Sequence, residues 1–342
     1  MRLVGDGFAN RDKVLSTVAC IATLVGPLGS VEQARAVLVR TPGLGGQPEA
    51  TLDGLAAVFA SLYPGAGGEP CALPPVQPDR IGERLVATQL ASTPSLADLP
   101  FEGSESSLAE QALRVLGRAA RWQPGLVPRL EALARRHTAP FVRAWLAVAP
   151  EESWAPTHAE RLEAALGGLE AMTPDEADAL ARPLPLGSVA LRGVAVLLAE
   201  RAAEGTPTTG TWESATPDEL AGRARRLRDK GSHLSEVGRR EEALASTGEA
   251  VKLYRKLAAA RPDAFEPDLA SSLNNLGTMQ SAVGQREEAL ASTGEAVKLY
   301  RKLAAARPDA FEPDLASSLN NLGSMQSAVG QRRRRWRRRG RR

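Results

Sequence analysis

The chain has 342 residues, of which 43% are hydrophobic, 24% charged and only 4% aromatic, a length that suggests two or three domains with buried cores. Two cysteines without CxxC spacing and three histidines argue against a disulfide framework and structural zinc, as expected in a reducing cytoplasm. The net charge is +3, and removing the eight arginines from Arg333 onward changes it to −5, so the body gives no electrostatic reason to bind nucleic acid.

Residues 1–95 are predicted to form a helical module. The apolar stretch at 14–31 follows basic residues, as in a signal peptide, but polar side chains dilute it and Pro27 interrupts it. We therefore expect a buried core helix and no membrane segment. Ser30 and Gln33 predict a capping box at the start of the next helix. The predicted helices are Lys13–Val25, Val31–Arg40, Thr51–Leu62 and Asp79–Leu90.

The segment Pro64–Pro78 is rich in glycine and proline, which predicts a loop or a short hairpin. A hairpin that follows the helices would make residues 1–95 a small winged-helix module. A loop at the same place would make them a helical bundle, and the sequence leaves both alternatives open.

Residues 96–203 are predicted to form an irregular helical-pair region, because short amphipathic stretches alternate with proline and glycine. The predicted helices are Leu108–Arg121, Leu126–His137, Ala139–Val148, Thr157–Leu169, Pro174–Arg182 and Ser188–Ala203. Residues 204–216 (EGTPTTGTWESAT) are polar and lack apolar periodicity, so we expect a linker there.

Residues 217–332 contain a repeat with a period of 46 residues. The sequence REEALASTGEAVKLYRKLAAARPDAFEPDLASSLNNLG occurs unchanged at Arg240–Gly277 and Arg286–Gly323, and a degraded copy precedes it. The sequence of each copy predicts two helices. The first is opened by Pro267, near the end of a predicted loop RPDAFEPD, and the second starts near Arg286. Because one helical pair cannot bury both of its faces, stacked pairs predict an all-α solenoid.

These repeats resemble the tetratricopeptide repeat family, which places a small residue in the first helix and two alanines in the second. The matching residues are Gly231, Ala243 and Ala250 in one repeat and Gly277, Ala289 and Ala296 in the next. The usual aromatic positions are not matched, and the period exceeds the family's value of about 34. The longer form is similar to actinobacterial and kinesin-light-chain-like arrays, and the resemblance implies a helical-hairpin solenoid that binds proteins.

The phrases VACIATLVGPLGSVEQARAVL and LPPVQPDRIGERLVATQL resemble the region that follows the NTPase domain in bacterial STAND-type signalling ATPases with tetratricopeptide repeats. This resemblance covers residues 11 to about 203. The sequence contains no GxxxxGK[ST] phosphate-binding motif. The resemblance therefore implies a regulatory or sensor fragment of such an ATPase, without the NTPase domain.

The arginine-rich tail, residues 333–342, is predicted to be a frameshift product. The third copy should continue REEALASTGEAVK after Gln331 but continues RRRRWRRRGRR. With GC-rich codons, loss of one G from the first glutamate codon yields this tail, its Trp336 and a stop after Arg342. The alternative is a selected polybasic arm. In either case the third copy lacks its second helix, so Pro313–Val329 is expected to expose its apolar face.

The sequence predicts neither an enzyme nor a cofactor or metal site. It contains no GxSxG or HExxH motif. The paired glutamates after Arg240 and Arg286 lie at helix starts, where carboxylates favour the helix dipole. The tryptophans, among them Trp122, Trp145 and Trp154, are predicted to serve packing.

The candidate site is the concave face of the repeats, where the resemblance implies a peptide groove lined by first-helix residues. At matching intervals the sequence has Arg225, Arg228, Ser232, Ser271, Asn274, Thr278, Ser281, Ser317, Asn320 and Ser324. Asparagine amides can bond a peptide backbone, and the arginines can attract an acidic group. We therefore expect a protein or peptide ligand and a scaffold function, without a small-molecule substrate. Nucleic-acid binding through the tail is the weaker alternative.

Overall fold

A computed structural model describes residues 11–62, 71–76, 79–103, 105–204 and 215–339, with residues 328–339 by their backbone. Within these residues the fold is all-α, as predicted: it has fifteen α-helices and three short 3-10 helices, and no strand. The chain divides into two compact units. Unit 1 comprises Met1–Ala171 with Val189–Leu191, and unit 2 comprises Met172–Ser188 with Arg192–Arg342.

Unit 1 contains eight α-helices in its described residues. They are α1 (Arg11–Val25), α2 (Val31–Leu38), α3 (Glu49–Leu62), α4 (Asp79–Ser92), α5 (Ser106–Ala120), α6 (Val127–Arg136), α7 (Thr138–Val148) and α8 (Ala155–Leu166). The 3-10 helices are Pro94–Ala97, Leu99–Phe101 and Pro124–Leu126. The predicted helices of this region are therefore present, with boundaries that shift by a few residues.

Helix α1 lies in the core of unit 1, in agreement with the core-helix interpretation of this apolar stretch. Val18, Ile21 and Leu24 are fully buried, and α1 packs against α4 and α5. The predicted capping box is confirmed, since Ser30 and Gln33 exchange hydrogen bonds at the start of α2. In the part of the chain that the structure describes, no helix combines the length and hydropathy needed to cross a membrane.

The segment after α3 forms an isolated antiparallel bridge between Leu28 and Leu73 instead of a strand ladder. A winged-helix module needs a hairpin, and residues 71–76 do not form one in the described structure. This geometry fits the helical-bundle alternative. Part of the predicted hairpin, residues 64–70 and 77–78, lies outside the described residues, so the winged-helix interpretation stays a prediction.

Two of the tryptophans pack among the helices from α5 to α8. Trp145 and Trp154 are fully buried and meet edge to face, with ring centroids 5.7 Å apart. The packing prediction is wrong for Trp122, which is 61% exposed. Trp122 follows the end of α5, where the Arg80 guanidinium lies 5.0 Å from its ring centroid, so a cation–π contact replaces burial.

Unit 2 is a stack of antiparallel helices in which each helix packs against the next along the chain. Its helices are α9 (Pro174–Ala181), α10 (Arg192–Glu204), α11 (Pro217–Glu236), α12 (Arg240–Ala260), α13 (Pro262–Ala282), α14 (Arg286–Ala306) and α15 (Pro308–Arg339). The consecutive pairing from α9 to α15 confirms the predicted solenoid. The pair α9–α10, which comes before the predicted repeats, belongs to the same unit.

The 46-residue period consists of two 21-residue helices, a three-residue turn and one junction residue. Helices α13 and α14 are separated by Val283–Gln285, where Gly284 has φ 90°, a left-handed conformation that glycine adopts without steric cost. Helix α12 ends at Ala260, and α13 begins at Pro262. Arg261 alone therefore joins one repeat to the next.

The prediction that Pro267 opens the first helix is wrong, because the expected loop RPDAFEPD is helical from Pro262 onward. Pro262 occupies the first helical position, and Pro267 lies inside α13. Phe265 packs on the core formed with α12, while the Arg261 guanidinium lies 5.0 Å from its ring centroid. These contacts anchor the first turn, and they compensate for the one backbone hydrogen bond that an internal proline removes.

The small residue of the first helix allows a close approach of the second helix. A Cβ added at Gly277 would collide with Thr293 Oγ1 and would lie 3.1 Å from the Ala289 carbonyl oxygen. Gly231 meets Thr247 in the same way in the preceding pair. Gly323, at the equivalent position of α15, has no neighbour within 4 Å. The described residues contain no helix after α15 that could fill this place.

The apolar face of α15 is exposed, as the sequence predicted. Leu273 in α13 is fully buried, whereas Leu319, its counterpart in α15, is 39% exposed. The backbone of α15 stays helical through Arg339, but the tail side chains lie outside the described residues. The frameshift origin of the tail therefore stays a prediction.

The two equivalent glycines give a matched pair of stability predictions. Gly277→Ala should reduce the free energy of unfolding by about 1–3 kcal/mol, because the new methyl group overpacks the α13–α14 contact. Gly323→Ala should leave it unchanged or raise it by about 0.5–1 kcal/mol, because alanine favours an open helical site. Urea denaturation followed by circular dichroism measures both changes. Equal effects of the two substitutions would contradict the packing described.

Candidate partner-binding surface

The predicted site residues lie on α11, α13 and α15, which together with α9 are the first helices of the pairs in unit 2. The first helix α13 contacts both α11 and α15, whereas the second helices α12 and α14 approach each other less closely. The first helices α11, α13 and α15 therefore lie next to one another on one side of the stack. We call this side the inner face, and it holds two regions with different chemistry.

The first region of the inner face is a cluster of compensated charges around Asp178. The Arg225 guanidinium donates two hydrogen bonds to this buried carboxylate, with N–O distances of 2.9 and 2.6 Å. Arg182 adds a hydrogen bond of 3.1 Å. Burial acts to raise the pKa of Asp178, but the hydrogen bonds and charges of the arginines, Arg225 first, outweigh it and lower the pKa.

The charge cluster continues along α11 to α13. Arg228 donates to Asp229 at 3.2 Å and to Asp268 of α13 at 2.8 Å. Burial opposes the charge of Arg228, but the surrounding acids, with Asp229 first among them, raise its pKa nevertheless. Burial also raises the pKa of the neighbouring Tyr254 to about 12, so this hydroxyl stays protonated at physiological pH. Both predicted arginines are thus already paired with carboxylates of the same chain.

The second region is an uncharged strip of amide and hydroxyl groups on α13 and α15. The Asn321 amide donates to Asn274 Oδ1 at 3.3 Å and so joins the two helices. Thr278 donates its hydroxyl hydrogen to the Asn274 carbonyl oxygen at 3.1 Å. Three further predicted residues, Ser317, Asn320 and Ser324, are exposed on α15. We call this surface the polar strip.

Not every predicted residue offers a free group to a ligand. The Ser232 hydroxyl donates to the Arg228 carbonyl oxygen at 3.2 Å, and Ser271 shares a hydrogen bond with the buried Tyr300 hydroxyl. Ser281 is half-buried near the end of α13. The structure therefore brings the ten predicted residues to one set of helices, but it divides them into paired charges, helix-bonded hydroxyls and exposed polar groups.

Sequence reasoning missed the acidic partners and the second asparagine of each LNNLG sequence. Asp178 comes from α9, a helix without repeat sequence, so no spacing pointed to it. Asp268 follows the predicted helix start at Pro267, and it is a cross-helix ion-pair partner of Arg228. Asn321, not Asn320, reaches Asn274. The doubled asparagine was the available signal for that contact.

The described residues contain no group of three or more histidine, cysteine or acidic side chains arranged to hold a metal ion. His233 lies buried in α11, and its Nδ1 has no hydrogen-bond partner among the described residues. Burial lowers the pKa of His233 below the ordinary value of 6.5, so the ring is neutral at pH 7. Packing explains this residue better than ligation does.

Compared with known proteins, the chain matches no family model, no curated protein sequence and no solved structure. The resemblances to tetratricopeptide repeats and to the helical region of STAND-type ATPases therefore stay predictions.

The pKa of Asp178 predicts how the stability of unit 2 changes with pH. The pKa of Asp178 is lower in the folded chain than in the unfolded chain, so its ionised carboxylate stabilises the fold. This contribution is complete above the unfolded-state pKa of about 3.9 and is lost as the pH falls through the lower folded-state pKa. We expect Asp178→Asn to lower the melting temperature at pH 7 and to reduce its further fall below about pH 4. Thermal melts between about pH 3 and pH 7 measure both effects.

Asp175→Asn is the matched control for this pH experiment. Asp175 lies on the same helix and pairs with Arg226 at 2.6 Å, but its side chain is 89% exposed. Exposed ion pairs contribute little to stability, so this variant should keep the pH dependence of the unchanged chain. Indistinguishable pH profiles for the two variants would contradict the assigned role of Asp178.

Proposed function

We propose that this chain is a non-catalytic protein–protein interaction module that binds an extended peptide segment along the inner face of unit 2. The observation that supports the proposal most directly is the polar strip, in which Asn274 and Asn321 join α13 to α15. A cytoplasmic scaffold or signalling adaptor would use such a surface. The proposal includes no cofactor and no small-molecule substrate.

The chemistry of the polar strip suits a peptide backbone. Each asparagine side chain offers two donors and an acceptor, and an extended peptide exposes alternating N–H and C=O groups. Among the exposed groups, Asn320 and Ser324 lie one helical turn apart on α15, so both can face the same ligand. Uncharged recognition of this kind tolerates variation in the peptide's side chains.

The charge cluster has a different role in this proposal. Arg225 and Arg228 are bonded to Asp178 and Asp268, so an acidic group of a ligand would have to displace a carboxylate that is already in place. Their contacts cross from α9 to α11 and from α11 to α13. We therefore assign them to holding the first helices in position, and the polar strip to binding.

A peptide selection with variants tests this proposal. Phage-displayed peptides are selected against the full-length chain, and the affinity of a selected peptide is measured by fluorescence anisotropy. We expect the double variant Asn274→Ala, Asn320→Ala to weaken binding about thirtyfold, because each of the two lost hydrogen bonds contributes about 1 kcal/mol. The matched control is Lys298→Ala, an exposed side chain of the second helix α14, which should bind normally.

Two results would contradict the proposal. One is a selection that yields no peptide with saturable binding to the folded chain. The other is a set of selected peptides whose affinity is unchanged in the Asn274→Ala, Asn320→Ala variant, since the binding surface would then lie elsewhere. Circular dichroism of both variants confirms that the helices remain folded.

A further inference from the structure

Helix α13 and the first 21 residues of α15 are nearly identical in sequence but have different surroundings. Residues 262–282 and 308–328 differ only at Thr278, which is Ser324 in α15. Helix α13 lies between α12 and α14, whereas α15 packs on α14 and has no following helix among the described residues. The surface that α13 presents to α14 is therefore present a second time, on α15, without a cover.

The burial of equivalent residues identifies that surface. Ser272 and Ser318, which face the preceding helices, are buried in both copies, at 0% and 1%. On the other face, Ala270 and Leu273 are fully buried, while their counterparts Ala316 and Leu319 are exposed. We call the surface formed by Ala316, Leu319 and Gly323 the open face of α15.

The same chain shows which kind of helix covers such a face. Helix α14 presents Ala289, Thr293 and Ala296 to the rest of the array, and all three are fully buried. Thr293 lies where a Cβ of residue 277 would be, so a glycine and a threonine at these places fit together. Small residues at these spacings let two helices pack closely. Gly323 offers the same recess without an occupant.

The ion pairs between neighbouring helices also indicate which charges a helix on the open face would carry. Arg255 of α12 pairs with Glu295 of α14 at 2.6 Å, and Lys302 of α14 pairs with Glu266 of α13 at 2.7 Å. One period further on, the corresponding groups are Arg301 and Glu312, and neither has an ion-pair partner among the described residues. An additional helix with the α14 sequence would supply a glutamate to Arg301 and a lysine to Glu312.

We propose that the open face of α15 binds an amphipathic helix of a partner protein, with a small-residue stripe like that of α14 and a charge pattern that complements Arg301 and Glu312. This is a helix-in-groove mode of recognition, and it is independent of peptide binding on the polar strip. A second folded copy of this chain is the less suitable partner, because both of its helices with this stripe, α12 and α14, are already buried.

The test uses a fluorescein-labelled peptide with the sequence of Arg286–Ala306 (REEALASTGEAVKLYRKLAAA) and the full-length chain. Fluorescence anisotropy should show saturable binding, and circular dichroism should show a gain of helix on mixing, because short isolated helices are marginal in water. A peptide with Ala296→Glu is the control ligand. It should not bind, because it places a charge where the array buries a fully enclosed alanine.

The substitution Gly323→Ala locates the binding site. Its methyl group meets nothing within 4 Å in the chain itself, but a docked threonine would collide with it, as Thr293 would with a Cβ at Gly277. We expect binding to weaken at least about tenfold, which corresponds to about 1.4 kcal/mol. The matched control is Gly248→Ala in α12, also in open space, which should bind the peptide normally.

Each alternative outcome overturns the proposal. If the peptide does not bind, the open face does not accept this helix. If it binds equally well to the Gly323→Ala variant, it docks elsewhere or replaces the chain's own α14. If the chain instead dimerises in analytical ultracentrifugation and Gly323→Ala abolishes the dimer, a second copy covers the face. The double variant Asn274→Ala, Asn320→Ala should leave the affinity for the Arg286–Ala306 peptide unchanged. Failure of the open-face proposal can therefore be distinguished from failure of the polar-strip proposal.

Discussion

The close contact between a glycine of the first helices α11 and α13 and a threonine of the second helix that follows each of them sets the geometry of the repeat array. Thr293 occupies the space that a side chain at Gly277 would need, and this brings the helix backbones together. Ala289 and Ala296 become fully buried as a consequence. Because aromatic residues are few in this chain, close approach of small side chains supplies packing contacts that larger cores obtain from rings.

The inner face depends on this packing but is held by polar contacts. Arg225 connects α11 to α9, Arg228 connects α11 to α13, and Asn274 connects α13 to α15. Each contact joins successive first helices across the array. The buried carboxylate of Asp178 would be costly without its arginines, so the charge cluster compensates this carboxylate and at the same time connects the first helices. The polar strip beyond it has no such charges and is the part of the face suited to a neutral ligand.

The sequence was sufficient for the helical class and for the pairing of helices, because apolar spacing and the exact 46-residue repeat constrain both. The sequence was insufficient for contacts that involve a segment without repeat sequence. The contact of Asp178 with Arg225 is an example, since no spacing rule relates α9 to α11. Proline was a misleading signal at Pro267, where the partly buried Phe265 packs on the core and the helix continues. The prediction that Trp122 packs in a core failed because its indole contacts two arginines at the surface instead.

The one-residue junction between repeats has a consequence for how such arrays change in length. Each residue of an α-helix advances the direction of its side chains by about 100°, so an insertion of one residue inside a repeat helix would turn the side chains before and after it out of register with each other. A gain or loss of 46 residues leaves every face in register. Near-identical tandem copies also provide the matching stretches at which recombination exchanges whole units. The array is therefore free to vary in its number of repeats while the length of each repeat stays fixed.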